Sequence, residues 1–168
     1  EDIDPQRTII RANNGDSVIT LFGLENEFAT IKGFTIVGGG QGGGSYVTEN
    51  AGGIDGNGSL ATIRDNIIAN NRTQNYGGAL GFCYGRIYNN TIGGDGTAIR
   101  IMQRAGPSYI DILYPLGGNG AGADGGALFY CLGEISYNLI WGNTARNGGG
   151  MAYCPQRIAN NHFRANQA

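Results

Sequence analysis

The sequence predicts an all-β protein, a right-handed parallel β-helix (a solenoid) with about 24 residues in each coil and roughly seven coils. Three observations predict this fold. One line of sequence returns several times, its apolar and asparagine positions return in register, and the segments between them are short and β-like. Self-similarity at a fixed period is the signature of stacked structural repeats.

The repeated line is visible in three copies. "NYGGALGFCYGRIYNNTIGGD" at 75–95 returns as "ADGGALFYCLGEISYNLIWGN" at 123–143 and as "NGGGMAYCPQRIANNHFRAN" at 147–166. Two columns of residues recur at spacings of 24, 24, 24 and 23: Ile68, Ile92, Leu116, Ile140 and Phe163, and likewise Asn66, Asn90, Tyr114, Asn138 and Asn161. Registered columns at one period indicate units that stack on one another.

The segments between the turns favour strands over helices. Runs such as "ATIRDNII" and "GRIYNNTI" are short, rich in isoleucine and bounded by glycine or asparagine. Three such strands can form one coil, and successive coils then stack in parallel about 4.8 Å apart. The apolar columns are expected to form a continuous core, and the asparagine columns to form hydrogen-bonded ladders along the stack.

The chain is predicted to be one domain spanning residues 1–168. Ile31 and Ile63 lie 32 residues apart, which predicts a glycine-rich loop insertion at about 38–59, and an irregular coil is expected at about 93–115. The repeat continues to "FRANQA" without an evident C-terminal cap. Uncapped solenoid ends expose unpaired backbone groups. Three explanations are open: the chain is a fragment, it is one segment of a larger protein, or its subunits associate end to end into fibres.

Composition excludes two classes of partner. The net charge is −2 and charged residues make up 14% of the chain, so no basic surface for nucleic acid is expected. No apolar run approaches the roughly 18–20 residues of a membrane-spanning helix.

Several motifs resemble a known group of proteins. "GGAL" twice, with "IIAN", "IWGN" and "FRAN", resembles the GGA-[ILV] and F-x-x-N repeats of chlamydial polymorphic outer-membrane proteins. "TIKGFTIVGGG" and the "RIANNHF" coil are similar to uncharacterised bacterial secreted β-helix proteins of the pectate-lyase-like superfamily. The resemblance covers about 7–166 and implies a secreted or cell-surface protein. It does not specify an activity, because this architecture serves lyases, hydrolases and adhesins alike.

The irregular coil contains the predicted ligand-binding residues. "GTAIRIMQRAGPSYIDILYP" lacks the glycine pair of its counterparts, and departures from a repeat are where functional sites tend to lie. The candidate residues are Arg100, Arg104, Tyr109, Asp111 and Tyr114. Tyrosine could stack on a sugar face and arginine could bind carboxylates, so a saccharide groove is one hypothesis. The alternative is a local bulge with ordinary solvent-exposed charges.

No catalytic or metal-binding residues are predicted. The carboxylates form no visible cluster of three on one face, as a calcium-assisted lyase would need. "GGDG" and "GIDGNG" faintly resemble calcium-binding nonapeptides but do not recur every nine residues, so calcium is only a weak expectation.

Three cysteines follow the repeat. Cys131 and Cys154 fall in one column on adjacent coils, so they are predicted either to form a disulfide or to pack as stacked thiols. Cys83 is predicted to lie two coils from Cys131, too far for a bridge. A neighbouring column predicts a charge ladder in which Glu134 lies between Arg86 and Arg157.

The sequence therefore favours an extracellular structural or adhesive solenoid that works without catalysis. The alternative is a carbohydrate-active enzyme (a polysaccharide lyase or glycoside hydrolase) or a glycan-binding protein that uses the irregular coil.

Overall fold

A computed structural model of the chain describes residues 8–12, 16–40, 51–105 and 108–168, with the backbone alone over 98–114. Every regular element in these ranges is a β-strand. The strands are β1 (Ile9–Arg11), β2 (Ile19–Thr20), β3 (Thr30–Lys32), β4 (Thr35–Val37), β5 (Ile54–Asp55), β6 (Thr62–Arg64), β7 (Ile67–Ala69), β8 (Arg72–Thr73), β9 (Leu80–Gly81), β10 (Ile87–Tyr88), β11 (Thr91–Gly93), β12 (Ala98–Ala105), β13 (Ser108–Pro115), β14 (Gly120–Ala121), β15 (Leu128–Phe129), β16 (Ile135–Ser136), β17 (Leu139–Trp141), β18 (Met151–Ala152), β19 (Ile158–Ala159) and β20 (His162–Arg164).

Three parallel sheets form the body of the protein. Sheet 1 holds β1, β4, β7, β11, β17 and β20, sheet 2 holds β2, β5, β9, β15 and β18, and sheet 3 holds β3, β6, β10, β16 and β19. The chain visits sheets 1, 2 and 3 in rotation, so each strand pairs with the strand of the same sheet in the next coil. The prediction of an all-β stack of parallel strands is confirmed.

The core runs along the axis of this stack. In sheet 1, Ile68 lies opposite Ile36 on one side and Ile92 on the other, and all three are fully buried. Sheets 2 and 3 contribute similar columns, and the buried cluster contains Ile36, Ile54, Ile63, Ile68, Ala79, Leu80, Cys83, Ile87, Ile92, Ala127, Leu128, Cys131, Ile135 and Ile140. Each fully buried isoleucine or leucine stabilises the fold by about 1.5–3 kcal/mol. The repeat therefore encodes a core that no single coil could bury alone.

Two asparagine ladders close the corners on either side of sheet 1. Between sheets 3 and 1, the backbone N–H of Asn66 donates to Oδ1 of Asn90 at 3.0 Å, and that of Asn90 donates to Oδ1 of Asn138 at 3.0 Å. The Asn90 side-chain amide also donates to the carbonyl of Ile63. The second ladder follows sheet 1 and consists of Asn71, Asn119, Asn143 and Asn166. Buried polar groups at the corners are thus hydrogen-bonded from coil to coil, as buried polar atoms require.

The irregular segment contains a β-hairpin that leaves the stack. β12 and β13 pair with each other in antiparallel fashion, whereas Ile92 pairs directly with Ile140. Tyr114 and Leu116 therefore do not stand between their expected neighbours, although their sequence spacing of 24 fits the column. The reason is that eight consecutive cross-strand pairs hold residues 98–115 together as a hairpin.

The glycine-rich insertion is narrower than the predicted range of 38–59. β5 lies inside that range and pairs with β2 and β9, and Ile54 is fully buried. Residues 51–59 therefore belong to sheet 2 and its flanking turns, while residues 41–50 lie outside the described part of the chain. In the ranges that are described, no helix has the length and apolar character that crossing a membrane requires.

Candidate binding surfaces

The five predicted ligand residues all lie on the hairpin. β12 and β13 carry Arg100, Arg104, Tyr109, Asp111 and Tyr114. Arg104 pairs with Tyr109 across the hairpin, whereas Tyr114 pairs with Ile99. Since directly opposed residues share a face and a strand has a period of two, the register assigns Tyr114 to the other face from the remaining four. Their side chains lie outside the described part, so the saccharide groove stays a prediction.

A cleft of about 680 Å³ lies next to the base of this hairpin. Asn70 connects the two, because its side-chain amide donates to the carbonyl of Pro115 at 2.7 Å and its Oδ1 accepts from the N–H of Gly117 at 2.7 Å. The cleft is lined by Gly40, Asn70, Asn71, Arg72, Thr73, Gln74, Gly118, Gly120, Ala121, Gly122 and Thr144. Apart from Ala121, the lining residues are polar residues or glycines, and Arg72 is the charged residue among them.

Glycine shapes the floor of the cleft. A Cβ atom at Gly118 would lie 1.6 Å from the carbonyl oxygen of Gly142, so only glycine allows these two coils to approach. The hairpin leaves the stack after β11, a strand of sheet 1, and the chain pairs with the stack again at β14. The cleft is therefore located where the solenoid is least regular.

A second surface lies along sheet 2 and its corner with sheet 3. We call it the aromatic corner, and it consists of Tyr76, Phe82, Tyr84, Phe129, Tyr130 and Tyr153. The Tyr76 and Phe129 rings stack at 4.4 Å, and the Phe82 and Tyr130 rings lie 5.5 Å apart. Tyr153 meets the edge of Phe129 at 5.6 Å. The rings thus form one continuous cluster along the stack rather than isolated side chains.

The aromatic corner contains an unusual backbone conformation. Phe82, Tyr130 and Tyr153 have φ angles of 52°, 49° and 53°, in the left-handed region. The strand register places these three residues at equivalent positions, one residue after each sheet-2 strand. Bulky residues adopt this region rarely, and strain of this kind costs on the order of 1–3 kcal/mol per residue. The chain retains aromatic side chains where glycine or asparagine would fit more easily.

The same corner exposes apolar surface along the length of the stack. Ten large hydrophobic residues of the described chain are exposed, and six of them lie between a sheet-2 strand and the following sheet-3 strand: Phe22, Leu24, Phe28, Leu60, Tyr130 and Tyr153. Tyr153 is 66% exposed and Tyr130 is 40% exposed. Contiguous exposed apolar surface on a soluble protein typically marks an interaction site.

Beneath the aromatic corner lies a column of three thiols. Cys83, Cys131 and Cys154 each follow a left-handed aromatic residue, and all three are free. The N–H of Leu132 donates to the carbonyl of Cys83 at 3.2 Å. Cys83 therefore lies on the coil adjacent to Cys131, and the expectation that it lies two coils away is wrong. The hairpin removes the intervening sequence from the stack, so 48 residues separate neighbouring positions.

Burial and mutual contact keep the thiols of Cys131 and Cys154 protonated. Burial raises the pKa of Cys131, and the hydrogen bond to Cys131 together with burial raises that of Cys154. The backbone N–H of Cys131 donates to Sγ of Cys154 at 3.4 Å. Since the thiolate is the reactive form, such thiols are poor nucleophiles. A Cys131–Cys154 disulfide stays a prediction.

The charge ladder beside the aromatic corner is confirmed. Glu134 lies 3.8 Å from Arg86 and 3.7 Å from Arg157. Both guanidinium groups are largely exposed, so each ion pair contributes less than about 1 kcal/mol to the free energy of unfolding.

Among the described residues, no group of three or more His, Cys, Asp or Glu side chains could hold a metal ion, and the weak expectation of calcium stays untested.

The fold and its surfaces define an all-β protein of stacked parallel strands with an exposed aromatic corner. No family model, curated protein or solved structure matches the chain.

The aromatic corner was not among the predicted sites, although a signal for it exists in the sequence. "GFCYG", "FYCLG" and "AYCPQ" place aromatic residues beside each cysteine of the repeat, and these aromatic columns would have pointed to the surface.

Proposed function

We propose that this protein is an extracellular structural or adhesive β-solenoid module that binds through its surface and performs no catalysis. One observation carries the proposal. Equivalent positions on three consecutive coils hold Phe82, Tyr130 and Tyr153 in a strained left-handed conformation at the protein surface. Strained residues of this kind are typical of functional surfaces.

Burial and packing support this interpretation. The core is already complete without the outer rings, because the inward positions of sheet 2 are fully buried at Ile54, Leu80 and Leu128. Tyr130 has a coil on either side and is still 40% exposed, so core packing does not explain its presence. A binding partner would cover this apolar surface and recover the free energy of its burial.

The proposal includes the finer description of the fold. Right-handed winding and coils of about 24 residues fit the sequence repeat and the 24-residue step from Asn66 to Asn90. The repeat gives roughly seven coils only if the hairpin segment is counted as one of them, and because that segment leaves the stack, the six strands of sheet 1 give about six stacked coils. A secreted or cell-surface location and the pectate-lyase-like relationship are part of the same proposal and rest on the motif resemblance alone.

Self-association through the stack is a further component of the proposal. On the rung formed by β18, β19 and β20, Ile158 is 44% exposed and Phe163 is 46% exposed. A second copy whose strands stack on this rung would cover both side chains and pair the backbone groups of its edge. Long uniform fibres in negative-stain electron microscopy are expected, and a strictly monomeric protein at high concentration would contradict this component.

The adhesive function can be tested with the full chain and a panel of insoluble surface materials, including cellulose, chitin, peptidoglycan and mucin. We expect the protein to be retained on at least one material without releasing soluble product from it. Release of reducing sugar or unsaturated uronate by the purified protein would contradict a non-catalytic role. Failure to be retained on any material would contradict the adhesive role.

A second candidate function uses the hairpin face. The cleft of about 680 Å³ at the hairpin base, with Arg72 in its lining, favours a carbohydrate-active enzyme or a glycan-binding protein there. In that case Arg72→Ala should lower binding or turnover of an acidic polysaccharide at least tenfold and leave retention through the aromatic corner unchanged. Equal behaviour of the variant and the unaltered chain toward such polysaccharides would remove this candidate.

A further inference from the structure

We propose that the aromatic corner binds a neutral linear polysaccharide whose chain lies parallel to the solenoid axis. This inference rests on the proposed adhesive function and names the ligand class and its orientation. Three properties of the corner support it: the arrangement of its rings, the placement of its hydroxyl groups, and the balance of its charges.

The ring arrangement suits an extended polymer. Phe82, Tyr130 and Tyr153 follow three consecutive strands of sheet 2, so each of these three coils supplies one such ring. Coils of parallel strands rise by about 4.8 Å, and the Phe82 and Tyr130 centroids lie 5.5 Å apart. A row of rings with this repeat runs along the axis rather than around the solenoid. A ligand with repeating rings can therefore contact several coils at once only if it follows the same direction.

The hydroxyl groups suit a sugar rather than an apolar partner. The most exposed rings of the cluster are tyrosines, at 66% for Tyr153 and 40% for Tyr130, whereas Phe129 is 8% exposed. Within this cluster Phe129 thus lies deeper than Tyr130 and Tyr153, which face water. A pyranose has apolar C–H faces and hydroxyl edges, so it can stack on a tyrosine ring while hydrogen-bonding the phenol. Tyrosine combines an apolar body with such a polar group.

The charges of this corner favour an uncharged ligand. Arg86 and Arg157 share Glu134, and Arg86 also lies 5.0 Å from the Tyr88 ring. The corresponding segment of the first coils adds two acidic residues, Glu25 and Glu27. Two guanidinium groups against three carboxylates leave no excess positive charge for a polyanion. An acidic polysaccharide would consequently gain no net electrostatic attraction along this corner.

Affinity electrophoresis of the full chain in native gels tests the inference, with hydroxyethylcellulose and galactomannan as neutral linear probes. Carboxymethylcellulose is the charged counterpart of the first probe. We expect at least one neutral polymer to retard the protein, and the carboxymethylated polymer to bind at least fivefold more weakly than hydroxyethylcellulose. Tyr130→Ala combined with Tyr153→Ala should weaken retardation at least tenfold. Tyr137→Ala is the matched control, because Tyr137 is also left-handed and 62% exposed but lies on the corner between sheets 3 and 1.

Thermal unfolding shows whether the variants are folded. Tyr153→Asn is a second variant, chosen because asparagine tolerates the left-handed backbone conformation. It should fold and still bind at least threefold more weakly. Three results would overturn the inference. They are no retardation by either neutral polymer, stronger binding to the carboxymethylated polymer, and a loss of retardation in the Tyr137→Ala control equal to that of the double variant. If the protein is nevertheless retained on mucin or peptidoglycan, the adhesive function stands while the neutral polysaccharide is excluded.

Discussion

Two corners of the solenoid have the same backbone conformation but are built from different residues. Each must turn the chain through a left-handed residue and then satisfy the next backbone N–H. Between sheets 3 and 1 the chain uses Asn89 followed by Asn90, and between sheets 2 and 3 it uses Tyr130 followed by Cys131. The N–H of Asn90 donates to an amide oxygen at 3.0 Å, whereas that of Cys131 donates to a sulfur at 3.4 Å.

The difference separates a corner that supports folding from one that is available for binding. Asparagine tolerates the left-handed region, and its amide forms strong hydrogen bonds along the ladder. An aromatic residue is strained there, and a thiol is a weak hydrogen-bonding group. The corner between sheets 2 and 3 is therefore less favourable for stability in both respects, and it presents rings to the solvent instead. The proposed function rests on this combination of lower local stability and exposed aromatic rings.

Breaking the asparagine ladder should have the largest effect on stability. Asn90→Ala removes the acceptor of the Asn66 N–H and the donor to the Ile63 carbonyl, both of them buried. Unsatisfied buried groups cost about 1–3 kcal/mol each, so the free energy of unfolding should fall by about 2–4 kcal/mol. Urea unfolding measures this loss. Asn89→Ala is the control at the neighbouring exposed position and should cost only about 1 kcal/mol. Equal losses for the two variants would contradict the structural role of the ladder.

The thiol column should make stability depend on pH. The native pKa values of Cys131 and Cys154 are raised, whereas unfolded thiols titrate near about 8.5. Their contribution is thus fully present well below about pH 8.5 and is lost as the pH rises above it, by up to about 1.4 kcal/mol per pH unit for each thiol. Urea unfolding at pH 8.5 and 9.5 under reducing conditions should show this slope. In the Cys131→Ala, Cys154→Ala double variant it should be largely absent, and parallel slopes would contradict the assignment.

Exchanging residue types between the corners sharpens the comparison. Tyr137 is the left-handed tyrosine in a column of Asp65, Asn89 and Asn160. Tyr137→Asn should raise the free energy of unfolding by about 1 kcal/mol, because the strain is relieved. Tyr130→Asn should give no gain, because it also removes the ring contacts to Phe82 and Tyr84. Thermal unfolding of both variants measures this difference. If both variants are stabilised, the ring contacts of the aromatic corner do not contribute to the stability of the fold.

The smallest effect is expected at the charge ladder. Glu134→Gln removes both ion pairs with Arg86 and Arg157, whose side chains are 61% and 74% exposed. The free energy of unfolding should fall by about 0.5 kcal/mol or less at low salt. The difference should vanish at about 1 M salt, where the screening length falls to about 3 Å. A loss of several kcal/mol would assign this ladder a structural role that its exposure does not support.

The sequence predicted the structure best at positions where the same residue type recurs on successive coils. Ile63, Ile87 and Asn90 appear in columns because stacking requires the same side chain on each coil. The hairpin was not predicted as such, since Tyr114 keeps the 24-residue spacing while local cross-strand pairing removes it from the stack. The aromatic corner was missed because the repeat was interpreted mainly through its inward positions. The five predicted ligand residues stay a prediction, because their side chains lie on the hairpin outside the described part.

The most direct test of the account is one variant measured in two ways. Tyr153→Asn replaces the most exposed left-handed ring with a residue suited to that backbone. Its free energy of unfolding and its retardation by hydroxyethylcellulose or galactomannan should be compared with those of the unaltered chain. The account predicts unchanged or higher stability together with at least threefold weaker binding. Lower stability with unchanged binding would show that the ring serves the fold, and it would contradict the assignment of the aromatic corner as the binding surface.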